Sequence, residues 1–229
     1  MKTFLFQAYL AIVALVVTTN FVACDKDDDV VNEPCTHITN PIVTEMRTVG
    51  DFNRVLLEGI GTVLLTQGTQ KPLRIETHAE VLDVLETEVV GGELQIRLTD
   101  CVEGMIDRLD IFVSTPEFER IQVDGVGTFV AQNDFDLDNL EIELNGVGDV
   151  VLQGVCDRFE LESAGVGNIH AFDLSTDICF VAISGTGNAE VTVDSLLDVT
   201  ISGAGNVFYK GDPMINVDVS GTGNLIDSN

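Results

Sequence analysis

The sequence predicts an all-β chain wound as a solenoid of strand-turn-strand coils, 18–21 residues each, with one short helix toward its N-terminal side. Three observations predict it. The unit Gly185-Thr186-Gly187-Asn188 returns as Gly203-Ala204-Gly205-Asn206 and Gly221-Thr222-Gly223-Asn224, with looser copies beginning at Gly165, Gly146, Gly125 and Gly59. From Gly125 onward the first glycines lie 21, 19, 20, 18 and 18 residues apart, a period that marks a repeat array. Apolar residues alternate on both sides of each glycine corner, which is the period of a half-buried strand. The composition agrees, because Val, Ile, Leu and Gly are plentiful and Trp is absent.

The N-terminus reads as an address. Lys2 precedes an apolar run from Phe4 to Val17, and Phe21-Val22-Ala23-Cys24 follows. A basic start, a short apolar core and a small residue at the cut predict a secretory signal over residues 1–23. The run is too short and too near the terminus to be the first choice for a spanning helix. Cysteine directly after Ala23 resembles a bacterial lipoprotein signal, in which Cys24 becomes the lipidated first residue; Phe21 stands where Leu is usual. Asp25-Lys26-Asp27-Asp28-Asp29 then opens an acidic, apolar-poor stretch over residues 24–41, read as a tether because it cannot bury enough surface to fold. It is similar to the lysine-plus-acidic export signal of Bacteroidota surface lipoproteins. The expectation is an outer-membrane lipoprotein facing either the exterior or the periplasm, held to the membrane by its lipid.

Residues 42–229 make the predicted β domain, irregular over 42–118 and regular over 119–229. Asp51 to Glu58 and Ile60 to Gly68 read as two strands around a glycine corner, and Leu73 to Thr77 alternates again. Val81, Leu82 and Leu85 stand at near-helical spacing, so the short helix is placed at Ala79 to Glu88. Gly91-Gly92 turns the chain into the alternating strand Leu94 to Leu98, Arg108 to Ser114 gives another, and Pro116 marks the corner before the regular array.

The stretch Phe52 to Gly68, the run Glu86-Thr87-Glu88-Val89 leading through Gly91-Gly92 to Leu94-Gln95-Ile96, and the downstream Ser-Gly-x-Gly-Asn units together resemble one family. It is the auto-transporter adhesin family with a head GIN domain, and the resemblance covers roughly residues 48 to 226. It implies a right-handed parallel β-helix exported to the envelope, and it brings no catalytic residues.

Aligned on the first glycine, Ile142 and Leu144, Val181 and Ile183, Val199 and Ile201, and Val217 and Val219 are expected to face inward, with Leu161 and Ser163 the weaker copy. Beyond the corner, Phe129, Val150, Ile169, Ala189, Val207 and Leu225 fall at one inward position. The glycines are expected to supply positive φ at the corners. Asn168, Asn188, Asn206 and Asn224 would stack one per coil at a strand spacing of about 4.8 Å, with their amides bonding along the column. The same asparagines form the candidate ligand edge, an exposed polar row able to contact sugar hydroxyls. Calcium-binding nonapeptide solenoids also use Gly-x-Gly, but at half this period and with aspartate at a fixed offset.

Two further groups stand out. Glu141 and Glu143 fall in register with Glu160 and Glu162, and four carboxylates in a small square are candidate oxygen ligands for Ca²⁺. The outward column Val130, Val151, His170, Glu190, Phe208, Ile226 is mostly apolar; Val130, Val151, Phe208 and Ile226 are a candidate partner stripe. The helix near Val81 or a second copy of the chain is the expected cover. Of the remaining cysteines, Cys35, Cys101, Cys156 and Cys179 allow three pairings outside the cytoplasm, and their spacing matches no zinc pattern.

The net charge of -27, from 38 acidic and 11 basic residues, argues against nucleic acid. An enzyme is also disfavoured. From Ile121 onward the basic side chains are Arg158 and Lys210 and the sole histidine is His170, too few for a lyase base beside metal-bound carboxylates. Uniform units leave no insertions to build the cleft in which a glycosidase sets two carboxyls face to face. The expected function is an adhesin-like binding module for glycans or envelope components, with no resident cofactor; calcium is the one candidate ion, against the plainer reading of the glutamates as a solvated acidic face. The alternative is a structural or assembly protein of the envelope that oligomerises through the apolar stripe.

Overall fold

The computed structural model describes residues 35–229; the predicted signal segment, Cys24 and the first part of the predicted tether lie outside the described residues. Strands β1 (Thr36–His37), β2 (Ile42–Arg47), β3 (Arg54–Leu57), β4 (Ile60–Gln67) and β5 (Leu73–His78) lead into α1 (Ala79–Val84). Strands β6 (Leu85–Val90), β7 (Glu93–Leu98), β8 (Val102–Glu103), β9 (Leu109–Thr115), β10 (Arg120–Val123) and β11 (Val126–Ala131) follow. The rest of the chain is β12 (Phe135–Leu144), β13 (Val150–Ser163), β14 (Ile169–Ile183), β15 (Ala189–Ile201), β16 (Val207–Lys210), β17 (Met214–Val219) and β18 (Leu225–Asp227).

These strands correct the expected right-handed parallel β-helix: apart from the small β1–β8 pair, they make one curled, mixed sheet that forms a half-barrel. β2 runs antiparallel to β5, β5 antiparallel to β9, and β6 antiparallel to β7. The reason lies in the connections. Parallel neighbours need a crossover of about a dozen residues or more, whereas Gly91 and Gly92, at φ 59° and 84°, close β6 directly onto β7. That hairpin also shortens the helix. The expected span to Glu88 stops at Val84, because Leu85 onward is taken into β6. The glycine period survives as a pairing register within the mixed sheet, not as an independent array of coils.

Over β10 to β18 that register is parallel. Ile121, Ile142, Leu161, Val181, Val199 and Val217 stand opposite one another in successive strands. So do Phe129, Val150, Ile169, Ala189, Val207 and Leu225. All members of both rows are buried except Val217 and Leu225 in the last layer. Each Val, Ile, Leu or Phe so removed from water contributes roughly 1.5–3 kcal/mol, and these rows hold the sheet in its curl.

The tether boundary also moves. Cys35 bonds to Cys101, β1 pairs with β8, and Thr39 and Asn40 donate four hydrogen bonds to Glu80 Oε1 at 2.8–2.9 Å. Residues 35–41 therefore belong to the folded unit, which begins at Cys35 and not after Pro41. Cys156 and Cys179 remain free and buried, a pairing that spacing left open.

Candidate functional site

The candidate edge begins with glycine. A Cβ on Gly165 would lie 2.0 Å from Gly146 O, and one on Gly187 only 1.7 Å from Gly167 O. The backbone of the preceding layer passes where a side chain would stand. Positive φ, expected at every corner glycine, applies to Gly61 at 134° and to Gly148, Gly167 and Gly187 at 155–157°. For the first glycine of each unit from Gly125 onward the requirement is the close approach itself.

That approach brings the asparagines into bonding range. Asn168 donates from its backbone N–H and its Nδ2 to Asp149 Oδ1 at 2.8 and 3.2 Å. Asn188 makes the same pair of bonds to Asn168 Oδ1, Asn206 to Asn188 Oδ1, and Asn224 to Asn206 Oδ1, all at 3.1–3.2 Å. The ladder therefore has a direction. Each internal Oδ1 accepts twice, and each Nδ2 spends one of its two protons within the column. Among the described residues the second proton has no partner, so four amide N–H groups stand in a row.

A neighbouring row was missed in the sequence. Val126, Val147 and Val166, the middle residues of the looser units, bridge one another in register and are about half exposed. Thr186 continues the column. The signal was present in the Gly-x-Gly pattern, where x is Val in every early copy after Gly59; only the corner geometry shows that these side chains leave the core.

The outer column forms as a register row. Val130, Val151, His170, Glu190, Phe208 and Ile226 stand in sequence across β11, β13, β14, β15, β16 and β18. Helix α1 does not cover them, since it packs on β1, β5 and β6 and turns Val81 into the core. The apolar members are half-buried. His170 Nδ1 and Glu190 Oε2 are 2.9 Å apart, an exposed pair, and among the described residues no third group orients the ring for acid-base work.

The four glutamates meet in pairs, Glu141 opposite Glu160 and Glu143 opposite Glu162. Arginine enters the square. Arg120 Nη2 lies 3.0 Å from Glu143 Oε2, and Arg158 Nε donates to Glu160 Oε1 at 2.7 Å. Burial pushes the Glu143 carboxyl up, opposed by Arg120 and reinforced by Glu141 and Glu162. Among the described residues no group of three or more His, Cys, Asp or Glu converges as metal ligands. Next to this face, Glu160, Glu162, Phe180, Ala182, Asp198 and Thr200 line a shallow groove. Its aromatic floor is occupied, because the Arg158 guanidinium sits 4.3 Å from the centre of the Phe180 ring.

Comparisons with known proteins fit this geometry. The sequence profile of the family described as "Putative auto-transporter adhesin, head GIN domain" matches residues 51–213. A crystal structure of a "putative adhesin" from Bacteroides fragilis superposes with a TM-score of 0.72 at 22% identity, covering 84% of this chain and 99% of that one. A "putative lipid binding protein" from Parabacteroides distasonis gives 0.57 at 21% identity, over 86% of this chain and all of that one. A "putative adhesin" from Parabacteroides merdae gives 0.54 at 17% identity, over 85% of this chain and all of that one. At these identities the likeness is one of fold. A search of curated proteins finds no match.

Proposed function

The chain belongs to the auto-transporter adhesin, head GIN domain family, and from that membership we propose that it is an envelope-anchored, adhesin-like binding module for glycans or neighbouring envelope components. The observation that carries the ligand class is the amide row on Asn168, Asn188, Asn206 and Asn224, each with one unspent N–H proton. Evenly spaced donors suit the hydroxyls of a chain of sugar rings, which accept hydrogen bonds, and the exposed Val166 beside the first donor, continued by Val147 and Val126 in the two layers before it, offers an apolar surface for the C–H faces of the rings. Equivalent weak contacts along an edge add as avidity adds.

The test is binding of the purified protein to a glycan array, wild type against Asn188→Asp. The substituted carboxylate still accepts from Asn206, as Asp149 accepts from Asn168 at the foot of the ladder, and it lacks the second N–H. Its other oxygen faces Asn168 Oδ1 where Nδ2 donated, so binding is compared under conditions in which circular dichroism shows both proteins folded. Saturable binding weakened by the substitution supports the reading; binding that the substitution leaves unchanged removes the edge from it, and no binding to any glycan removes the glycan class. Anchoring rests on Cys24 and is tested separately: Cys24→Ser should release the protein from the membrane fraction.

A further inference from the structure

The two ends of the sheet differ. At one, α1 lays Val81 and Val84 onto the core beside β5 and β6. At the other, no described residue covers the last layer. Ile215, Val217 and Val219 stand in register with the buried Leu197, Val199 and Ile201, yet they are 43, 52 and 43% exposed. Among the described residues β17 pairs with β15 alone, which leaves its second edge free.

The hydrogen-bond parity of that edge is fixed. Ser220 N donates to Ile201 O, so Ser220 and, by alternation along the strand, Asp218, Asn216 and Met214 aim their backbone groups at β15. Ile215, Val217 and Val219 therefore carry the unpaired N–H and C=O groups, and theirs are also the side chains left at the open end of the core.

We infer that this edge docks a second copy of the chain, β17 against β17 in antiparallel register about Val217. The segment Ile215-Asn216-Val217-Asp218-Val219 is nearly symmetric about its centre, which an isologous two-fold contact requires. Val217 meets Val217 of the copy, and Ile215 meets Val219. In an antiparallel ladder the residues that exchange bonds lie directly opposite, so every unpaired backbone group of the three residues finds a partner. The charge pattern fits as well. Each Asp218 carboxylate stands opposite an Asn216 amide, whereas a register centred on Asp218 would set carboxylate against carboxylate. Asn216 already donates to Asp198 Oδ2 at 3.1 Å, and its second amide proton is free for Asp218 of the copy. The apolar rows of the two copies then run on as one core.

The contact is short and joins two chains of net charge -27, so the pairing is weak at low ionic strength and tightens as salt screens the repulsion. Sedimentation of the purified protein over a concentration series of about a hundredfold should show a mass rising from monomer toward twice that value, more steeply at high salt. Hydrogen exchange of the associated form should protect the amides of Ile215, Val217 and Val219 relative to the dilute protein. Val217→Pro removes an edge donor and no bond to β15, a position where proline is tolerated. It should keep the melting temperature and raise the dissociation constant by about tenfold or more. A monomer at every concentration and salt overturns the inference. So does a dimer that Val217→Pro leaves intact, or one whose protection falls on other amides.

Discussion

Asn188 donates from its backbone N–H and from its side-chain amide to one atom, Oδ1 of Asn168, at 3.2 Å each. The side-chain oxygen of one layer thereby replaces the backbone acceptor that a corner takes away. The same two bonds recur one layer on, from Asn206 to Asn188. The ladder is a structural device first, and its unspent protons are what remain for a ligand.

Asn188→Ala strands the Asn206 backbone N–H and amide at a half-buried corner, at a cost of about 1–3 kcal/mol. Asn188→Asp keeps the acceptor for Asn206 but turns its second oxygen on Asn168 Oδ1, so it too should be destabilised. Urea midpoints of both variants should fall below that of the wild type, whereas a ladder without energetic weight would leave all three equal.

Gly187→Ala drives a methyl group to within 1.7 Å of Gly167 O, a backbone atom with nowhere to go. Destabilisation of about 3 kcal/mol or more is expected. Gly68→Ala is the control, since nothing lies within 4 Å of its added Cβ. That change should be neutral or stabilising by up to about 1 kcal/mol. Equal melting temperatures for the two variants would contradict the close-approach account.

Cys35 and Cys101 close a loop with a sequence separation of 66, which stabilises by about 4 kcal/mol through the unfolded chain. Reduction should lower the melting temperature and loosen the segment held by Glu80. Cys179 is fully buried and burial raises its thiol pKa strongly; burial likewise pushes Cys156 up to about 11. A thiol reagent at neutral pH should therefore label neither until the protein unfolds, which mass spectrometry of the native and denatured protein checks.

His78 gives a pH dependence. Its Nδ1 lies 2.6 Å from the Asn40 carbonyl oxygen and its Nε2 2.6 Å from Asp107 Oδ1, so both nitrogens can donate only in the charged ring. The Asn40 carbonyl first, and Asp107 next, raise its pKa above 6.5. A raised folded pKa means a contribution to stability that is complete below 6.5 and disappears as pH rises through the folded value. Glu80 in the same cluster works in the opposite sense. Its hydrogen bonds, led by those from Thr39, hold its carboxyl down at about 2, so its contribution is present above the ordinary 4.5 and is lost as pH falls through about 2. An NMR titration in which His78 fails to titrate above 6.5 would remove the first half of this account.

The sequence read the inward rows because side-chain alternation is a local property of a strand. Val181 and Ile183, or Val199 and Ile201, announce their face by spacing alone. The Asn column was legible for the same reason, since a fixed offset from a glycine repeats without knowledge of the partner strand. The exposure of Val126, Val147 and Val166 was not legible, because an apolar letter does not say which way a corner points.

What the sequence by itself determined is the all-β character, the family resemblance, and the register by which one layer meets the next, all of which depend on residues near one another in the chain. Only the tertiary structure decided that the sheet is mixed, that the folded unit starts at Cys35, that Cys35 pairs with Cys101, and that Arg120 and Arg158 enter the glutamate square. Each of these depends on which distant segments come together. Strand direction depends on where the connections run, a disulfide on where two loops meet, and a charge's partner on the row beside it.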